Sequence, residues 1–167
     1  MNMRAVLTVL ILALVSGCAT TKKVQAPPAE EKPAVVQTAP TVPTTAELLA
    51  KERFNLVISG FDKRSASLPT DAAAVLNEIN KRLAAIADIS SKDPLKVKPV
   101  IRVTGHCDKT GTPGFNQALS LKRAQAVAAR LNRAGFELKI EGRGYSELAD
   151  PDQPDSPKNR RVEVRFD

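Results

Sequence analysis

The stretch Val103–Ala124, reading VTGHCDKTGTPGFNQALSLKRA, leaves this chain little freedom. Ahead of it Val100, Ile101 and Val103 are β-branched and apolar, as in a buried strand. Behind it Leu119, Ala124, Val127 and Leu131 recur at helical spacing and predict a helix over 116–134, closed by Gly135 as its C-terminal cap. The loop between is punctuated by glycine and carries His106, Cys107 and Asp108. Asn116 and Arg123 lie seven residues apart, two helical turns, and share one helix face. A loop that folds back on that face brings Asp108 and Arg123 to one pocket. Opposite charges meeting there suit a zwitterion, a ligand with an ammonium group beside a carboxylate.

The same reading carries through the rest of the C-terminal half. Residues 47–53 read as a short helical lead-in, and Phe54–Ser59 as a first strand with Gly60 after it. Phe61-Asp62-Lys63 opens a loop to Leu68-Pro69, and Thr70 or Asp71 is placed to cap a helix starting at Ala72. Val75, Leu76, Ile79, Leu83 and Ile86 give that helix one apolar face. Leu138 and Ile140 alternate with Lys139 and Glu141 as a strand, and Val162, Val164 and Phe166 alternate with Glu163 and Arg165 as another. An acidic, proline-bearing loop, 145–158, joins them. The order β-α-β-α-β-β predicts an α+β sandwich of two helices on one mixed sheet. With aromatics at 4% and no Trp, its core is aliphatic.

The first 46 residues have another character. Arg4, the apolar run Ala5–Val15 and small residues before Cys18 have the form of a secretory signal, too short to span a bilayer as a mature helix. Val15-Ser16-Gly17-Cys18 resembles a bacterial lipobox, which implies cleavage after residue 17 and lipidation of Cys18. Several acyl chains, at about 0.8 kcal/mol per buried CH₂, make a durable anchor. Ala19 resembles a signal for outer-membrane sorting. The alternative is an ordinary cleaved signal, in which case Cys18 and Cys107 could pair. Residues 18–46 contain Pro27, Pro28, Pro33, Pro40 and Pro43 among Ala, Thr and Val, a composition expected to stay disordered with polyproline II character. Extended, such a linker reaches on the order of 80 Å, and relaxed nearer 30 Å. The domain boundaries are then 1–17 for the signal, 18–46 for the linker and 47–167 for the folded unit.

The net charge of +7 fits nucleic acid, an anionic membrane or an acidic polymer. Lys and Arg are evenly scattered and have no basic–aromatic stacking motif, which argues against nucleic acid.

One set of spaced residues is specific. Gly105, His106, Asp108, Gly111, Asn116, Leu119, Ser120, Arg123 and Ala124, closed by Asn159-Arg160-Arg161-Val162, resemble the OmpA-like C-terminal domain that binds peptidoglycan. Phe61-Asp62-Lys63 and Gly111-Thr112-Pro113 fit the same pattern, and the texture is that of the peptidoglycan-associated lipoproteins. The resemblance covers about the last 120 residues. It implies binding of the diaminopimelate residue of stem peptides. Asp108 would accept from the ligand's ammonium group and Arg123 would fork onto its carboxylate. Backbone N–H groups near Thr110 and the side chain of Leu119 would line the pocket, and Phe61 and Asp62 would close it. Asn116 would bond the loop backbone. Of Arg160 and Arg161, one would reach the ligand and the other pair with an acidic neighbour. Cys107 stands where the family usually has Thr, and a thiol is a weaker donor than a hydroxyl.

The implied role is an outer-membrane lipoprotein that faces the periplasm and tethers the envelope to the wall. The alternative is a scaffold whose other faces bind periplasmic proteins of a Tol-Pal-like system. An enzyme is not expected. Adjacent strand residues point to opposite faces, which opposes a His106–Cys107 dyad. A lone histidine also falls short of the three or four ligands a metal needs, and no cofactor is implied.

Overall fold

The computed structural model describes residues 43–96 and 98–167. The expected signal segment, Cys18 and most of the expected linker lie outside these residues. The chain enters the fold through α1 (Thr45–Lys51), whose first turn is closed by a capping box. Thr44 Oγ1 accepts from Glu47 N–H while Glu47 Oε2 accepts from Thr44 N–H. The helix therefore begins inside the segment read as linker. There follow β1 (Phe54–Ser59), α2 (Ala72–Ser91), β2 (Val100–Gly105), α3 (Pro113–Ala128), β3 (Glu137–Gly142), a 3-10 turn at Pro157–Asn159 and β4 (Arg161–Phe166).

The strands form one mixed sheet in the order β1-β4-β2-β3. β4 runs antiparallel to both β1 and β2, whereas β2 and β3 are parallel and joined through α3. Ile101, Val103, Val162 and Val164 turn inward and pack with Leu76, Ile79, Leu83 and Ile86 of α2 and Ala124 and Val127 of α3. This is the expected α+β sandwich, with a mainly aliphatic core that also takes in Phe54, Phe61 and Phe166. Phe54 and Phe166 meet at its edge with ring centroids 6.4 Å apart.

Three local expectations differ from the structure. Neither Thr70 nor Asp71 caps α2 by its side chain; Asp71 has helical backbone angles and makes no side-chain capping bond. The long helix predicted over 116–134 starts at Pro113, behind the N-cap Thr112, and ends at Ala128. Asn80 of α2 stops it, accepting from Asn132 N–H at 2.8 Å and donating to Arg130 O at 3.2 Å. Gly135, read as the helix cap, sits instead at φ +86° in a turn closed by Phe136 N–H to Arg133 O.

Two glycines set the height of α3 above the sheet. Gly105 and Gly142 are register partners on β2 and β3. A Cβ on Gly105 would lie 1.9 Å from Ser120 O, and one on Gly142 would lie 2.5 Å from Leu121 N. The helix backbone thus rests directly on the strand ends, which brings the Asn116–Arg123 face against the loop that leaves β2. Gly105→Ala is expected to lose about 3 kcal/mol by overpacking. Gly114→Ala, where an added Cβ meets nothing within 4 Å, should gain about 0.5–1 kcal/mol through helix propensity. Urea melts of the two variants check both signs.

Candidate functional site

The loop from β2 to α3 is held from four sides. His106 N–H donates to Arg161 O at 2.8 Å and Cys107 N–H to Gly144 O at 2.7 Å. Lys109 N–H donates to Pro154 O at 2.8 Å. From α3, Asn116 Nδ2 donates to Thr110 O at 2.9 Å, so the buried amide fixes the loop backbone. Pro154 is itself placed by Asn159, whose amide donates to Asp150 O, Gln153 O and Pro154 O and accepts from Asp150 N–H. Asn159 belongs to the Asn-Arg-Arg-Val motif, yet its sequence position gave no hint of this loop-organising role.

Asp108 is the anionic centre and is only 4% exposed. Its Oδ1 accepts from both the N–H and the hydroxyl of Thr110, and its Oδ2 from Arg160 Nη1 at 3.0 Å. Burial works to raise its pKa, but the Thr110 and Arg160 hydrogen bonds outweigh that and hold it below the ordinary carboxylate value. Arg160 also donates from Nε to Phe61 O at 2.7 Å and so joins this loop to the one after β1. Arg161 turns the other way, donating to Glu163 Oε1 at 2.9 Å and to Glu147 O at 3.2 Å. The division between the two arginines is therefore Arg160 toward Asp108 and Arg161 toward Glu163.

Arg123 is fully buried. Nε donates to Ser65 O at 2.9 Å, Nη2 to Asp62 O at 2.8 Å, and Nη1 to His106 O at 3.0 Å and Cys107 Sγ at 3.3 Å. Its guanidinium also lies over the Phe61 ring, 5.3 Å from the centroid. Four of the five N–H donors are thus spent on protein, clamping the 61–65 loop to the 105–108 loop. Desolvation lowers its pKa, with Cys107 and Asp108 opposing that.

The loops and α3 therefore gather Asp108, Thr110, Asn116, Arg123, Arg160, Phe61 and Asp62 into one bonded network. Leu119 is buried on the same helix, and the side chain of Asp62 is exposed. Cys107, buried and with no disulfide partner among the described residues, donates its thiol to Asn116 O at 3.5 Å. Burial raises its pKa against the pull of Arg123. The His106 ring points away from Cys107, with Nε2 3.8 Å from Glu163 Oε1, and neither ring nitrogen has a hydrogen-bond partner among the described residues. The two side chains do not form a dyad.

This arrangement, a charged network where β2 enters α3 on a β1-β4-β2-β3 sheet, defines a class. The chain belongs to the OmpA family, which residues 60–165 match. It is 38% identical over 69 residues to the outer-membrane lipoprotein YfiB of Pseudomonas aeruginosa, covering 38% of this chain and 41% of that one. It is 33% identical over 134 residues to the photosystem I P700 chlorophyll a apoprotein A2 of Gloeobacter violaceus, covering 74% of this chain and 14% of that much longer protein. The chain thus spans less than half the length of either curated relative. Among solved structures, the peptidoglycan-associated lipoprotein of Burkholderia pseudomallei superposes with a TM-score of 0.49 at 24% identity, over 67% of this chain and 90% of that one. No helix among the described residues is long and apolar enough to cross a membrane.

Burial and the neighbouring Arg161 lower the His106 pKa, and Glu163 raises it by less. The unfolded chain takes up a proton at about the ordinary 6.5 while the fold resists it. The stability due to neutral His106 is therefore present above pH 6.5 and lost as the pH falls below it. Unfolding free energy should drop between about pH 7 and pH 5, and His106→Gln should flatten that slope. The Asp108 contribution should go only at more acid pH, below its usual 3.8.

Proposed function

We propose that this protein is a non-catalytic cell-wall anchor, whose domain binds the diaminopimelate residue of peptidoglycan stem peptides. The observation that carries the reading is the Asp108–Arg160 pair at 3.0 Å, set beside the Arg123 clamp between two loops of an OmpA-family domain. A carboxylate flanked by guanidinium groups answers a ligand with both an ammonium and a carboxylate on one carbon. In this reading Asp108 accepts from the ammonium, and the arginine side of the network, Arg123 and Arg160, answers the carboxylate. Thr110 offers its N–H and hydroxyl, Asn116 holds the loop, and Phe61, Asp62 and Leu119 shape the walls.

The anchor's other end is Cys18. The Val15-Ser16-Gly17-Cys18 sequence and the likeness to the outer-membrane lipoprotein YfiB support a lipidated cysteine in the outer membrane, with the domain facing the periplasm. Residues 18–46 would be the tether between the membrane and the wall.

The purified protein should sediment with sacculi, and Asp108→Ala should remain in the supernatant with its cooperative melt intact. Arg123→Ala is a poorer probe, because it also breaks the clamp. A folded wild-type protein that fails to pellet would contradict the reading.

A further inference from the structure

β3 lies at the edge of the sheet, with β2 on one side and no strand on the other among the described residues. The bonds at its two ends show how its backbone is turned. Glu137 N–H donates to Pro99 O at 3.0 Å and Arg143 N–H to Gly105 O at 2.9 Å, both toward β2. In a parallel pair every second residue faces the neighbour, so Lys139 and Glu141 do the same. The N–H and C=O groups of Leu138 and Ile140, with the N–H of Gly142, therefore point away from the sheet. Gly142 O already receives Gln117 Nε2 at 2.7 Å. Beside this edge runs an open groove of about 460 Å³, lined by Gln117 and Leu121 of α3 and by Ile140 and Arg143 among others. Leu121 is 36% exposed, and Leu138 and Ile140 are only partly buried. Such an edge is a template for another strand.

We propose that this edge pairs with the same edge of a second copy of the chain, antiparallel, with Ile140 opposite Ile140. The charges favour that occupant and that register. Glu137, Lys139, Glu141 and Arg143 alternate with the inward residues and line the open face of the sheet. With Ile140 on the two-fold axis, Lys139 meets Glu141 of the other copy and Glu137 meets Arg143, each pair occurring twice. These are the positions without ladder bonds, where opposed side chains come closest. Ile140 exchanges both of its backbone bonds with its counterpart, and Leu138 pairs with Gly142. The neighbouring registers lose the match. Leu138 against Ile140 would set Lys139 on Lys139 and Glu137 on Glu141, and Ile140 against Gly142 would set Glu141 on Glu141 and Lys139 on Arg143. Pairings centred on Leu138 or Gly142 run off the ends of the strand. The helices fit the same arrangement. Gly105 and Gly142 hold α3 over β2 and β3 together, so two such helices lie about 10 Å apart across the joined edges, a helix-packing distance. Gln117, Leu121 and Gln125, at four-residue steps on α3, form an uncharged row there. An isolated extended peptide would find the backbone groups but would bring no helix to cover Leu121.

The test is sedimentation equilibrium of residues 18–167 carrying Cys18→Ser, under reducing conditions, so that neither acyl chains nor a disulfide holds copies together. This protein should show a reversible monomer–dimer equilibrium at or below millimolar concentration. Lys139→Glu places like charges at the 139–141 pairs, as does Glu141→Lys, so each alone should raise the dissociation constant about tenfold or more. Mixing the two variants should restore association as a heterodimer, because the acidic pair at 139 and 141 of one then faces the basic pair of the other. Recovery on mixing also separates a lost interface from a lost fold. Hydrogen exchange gives a readout on the unsubstituted edge: dissociation by dilution should expose the amides of Leu138, Ile140 and Gly142, while those of Lys139 and Glu141 stay protected by β2. A protein that remains monomeric at millimolar concentration overturns the proposal. So does a dimer unmoved by Lys139→Glu, a mixture of the two variants that fails to associate, or a dimer in which the Ile140 amide exchanges freely. None of these outcomes depends on what the Asp108 network binds.

Discussion

A buried guanidinium without a hydrogen-bonded carboxylate holds the functional end of this domain together. Arg123 lies out of water, and the loss of hydration is offset by three backbone carbonyls, one sulfur and the face of Phe61. Those acceptors come from two loops far apart in sequence, 61–65 and 106–107. Neither loop has regular structure of its own, so their mutual geometry depends on this side chain, with Arg160 bridging Phe61 O and Asp108 beside it. The positive charge it keeps beneath the site is also a standing attraction for an anion. Asp108 supplies part of the answer from nearby, and Arg160 then occupies Asp108.

The clamp works only because α3 lies close to the sheet. Gly105 and Gly142, opposite each other on β2 and β3, allow the helix backbone to rest where side chains would otherwise stand. Ser120, at the contact point, accepts from Gly144 N–H at 2.9 Å, and Gly144 O in turn receives Cys107 N–H. The strand ends, the helix and the loop are thus fixed by one short chain of contacts. Sequence leads to packing here, and packing to the placement of charge: two missing side chains set a helix height, and that height puts Arg123 within reach of both loops.

Much of this could be read in the sequence because it is local. The apolar face of α2 follows from Leu76, Ile79, Leu83 and Ile86 at three- and four-residue steps, and those four are buried as expected. The strands followed from alternation, and membership of the family followed from the spacing of Gly105, Asp108, Asn116 and Arg123. What was not legible depends on partners distant along the chain. The end of α3 is set by Asn80, some fifty residues away, so the glycine at 135 was an attractive but wrong place to stop it. Which of Arg160 and Arg161 faces Asp108 was only half legible: Glu163, two residues on along the same strand face, holds Arg161, but the distant Phe61 O and Glu147 O complete the choice. The depth of Arg123 was likewise hidden, since its acceptors are carbonyls, which every residue possesses.

The central claim is that the network around Asp108 is where a diaminopimelate stem peptide docks. The most direct measurement is a titration of the ¹⁵N-labelled protein with the diaminopimelate tripeptide, followed by amide chemical shifts. Shifts are expected to concentrate at Asp108, Lys109, Thr110, Asn116 and the 61–65 loop. Shifts confined to the open face of the sheet, around Arg102, Thr104 and Glu163, or no shifts at millimolar peptide, would contradict that claim.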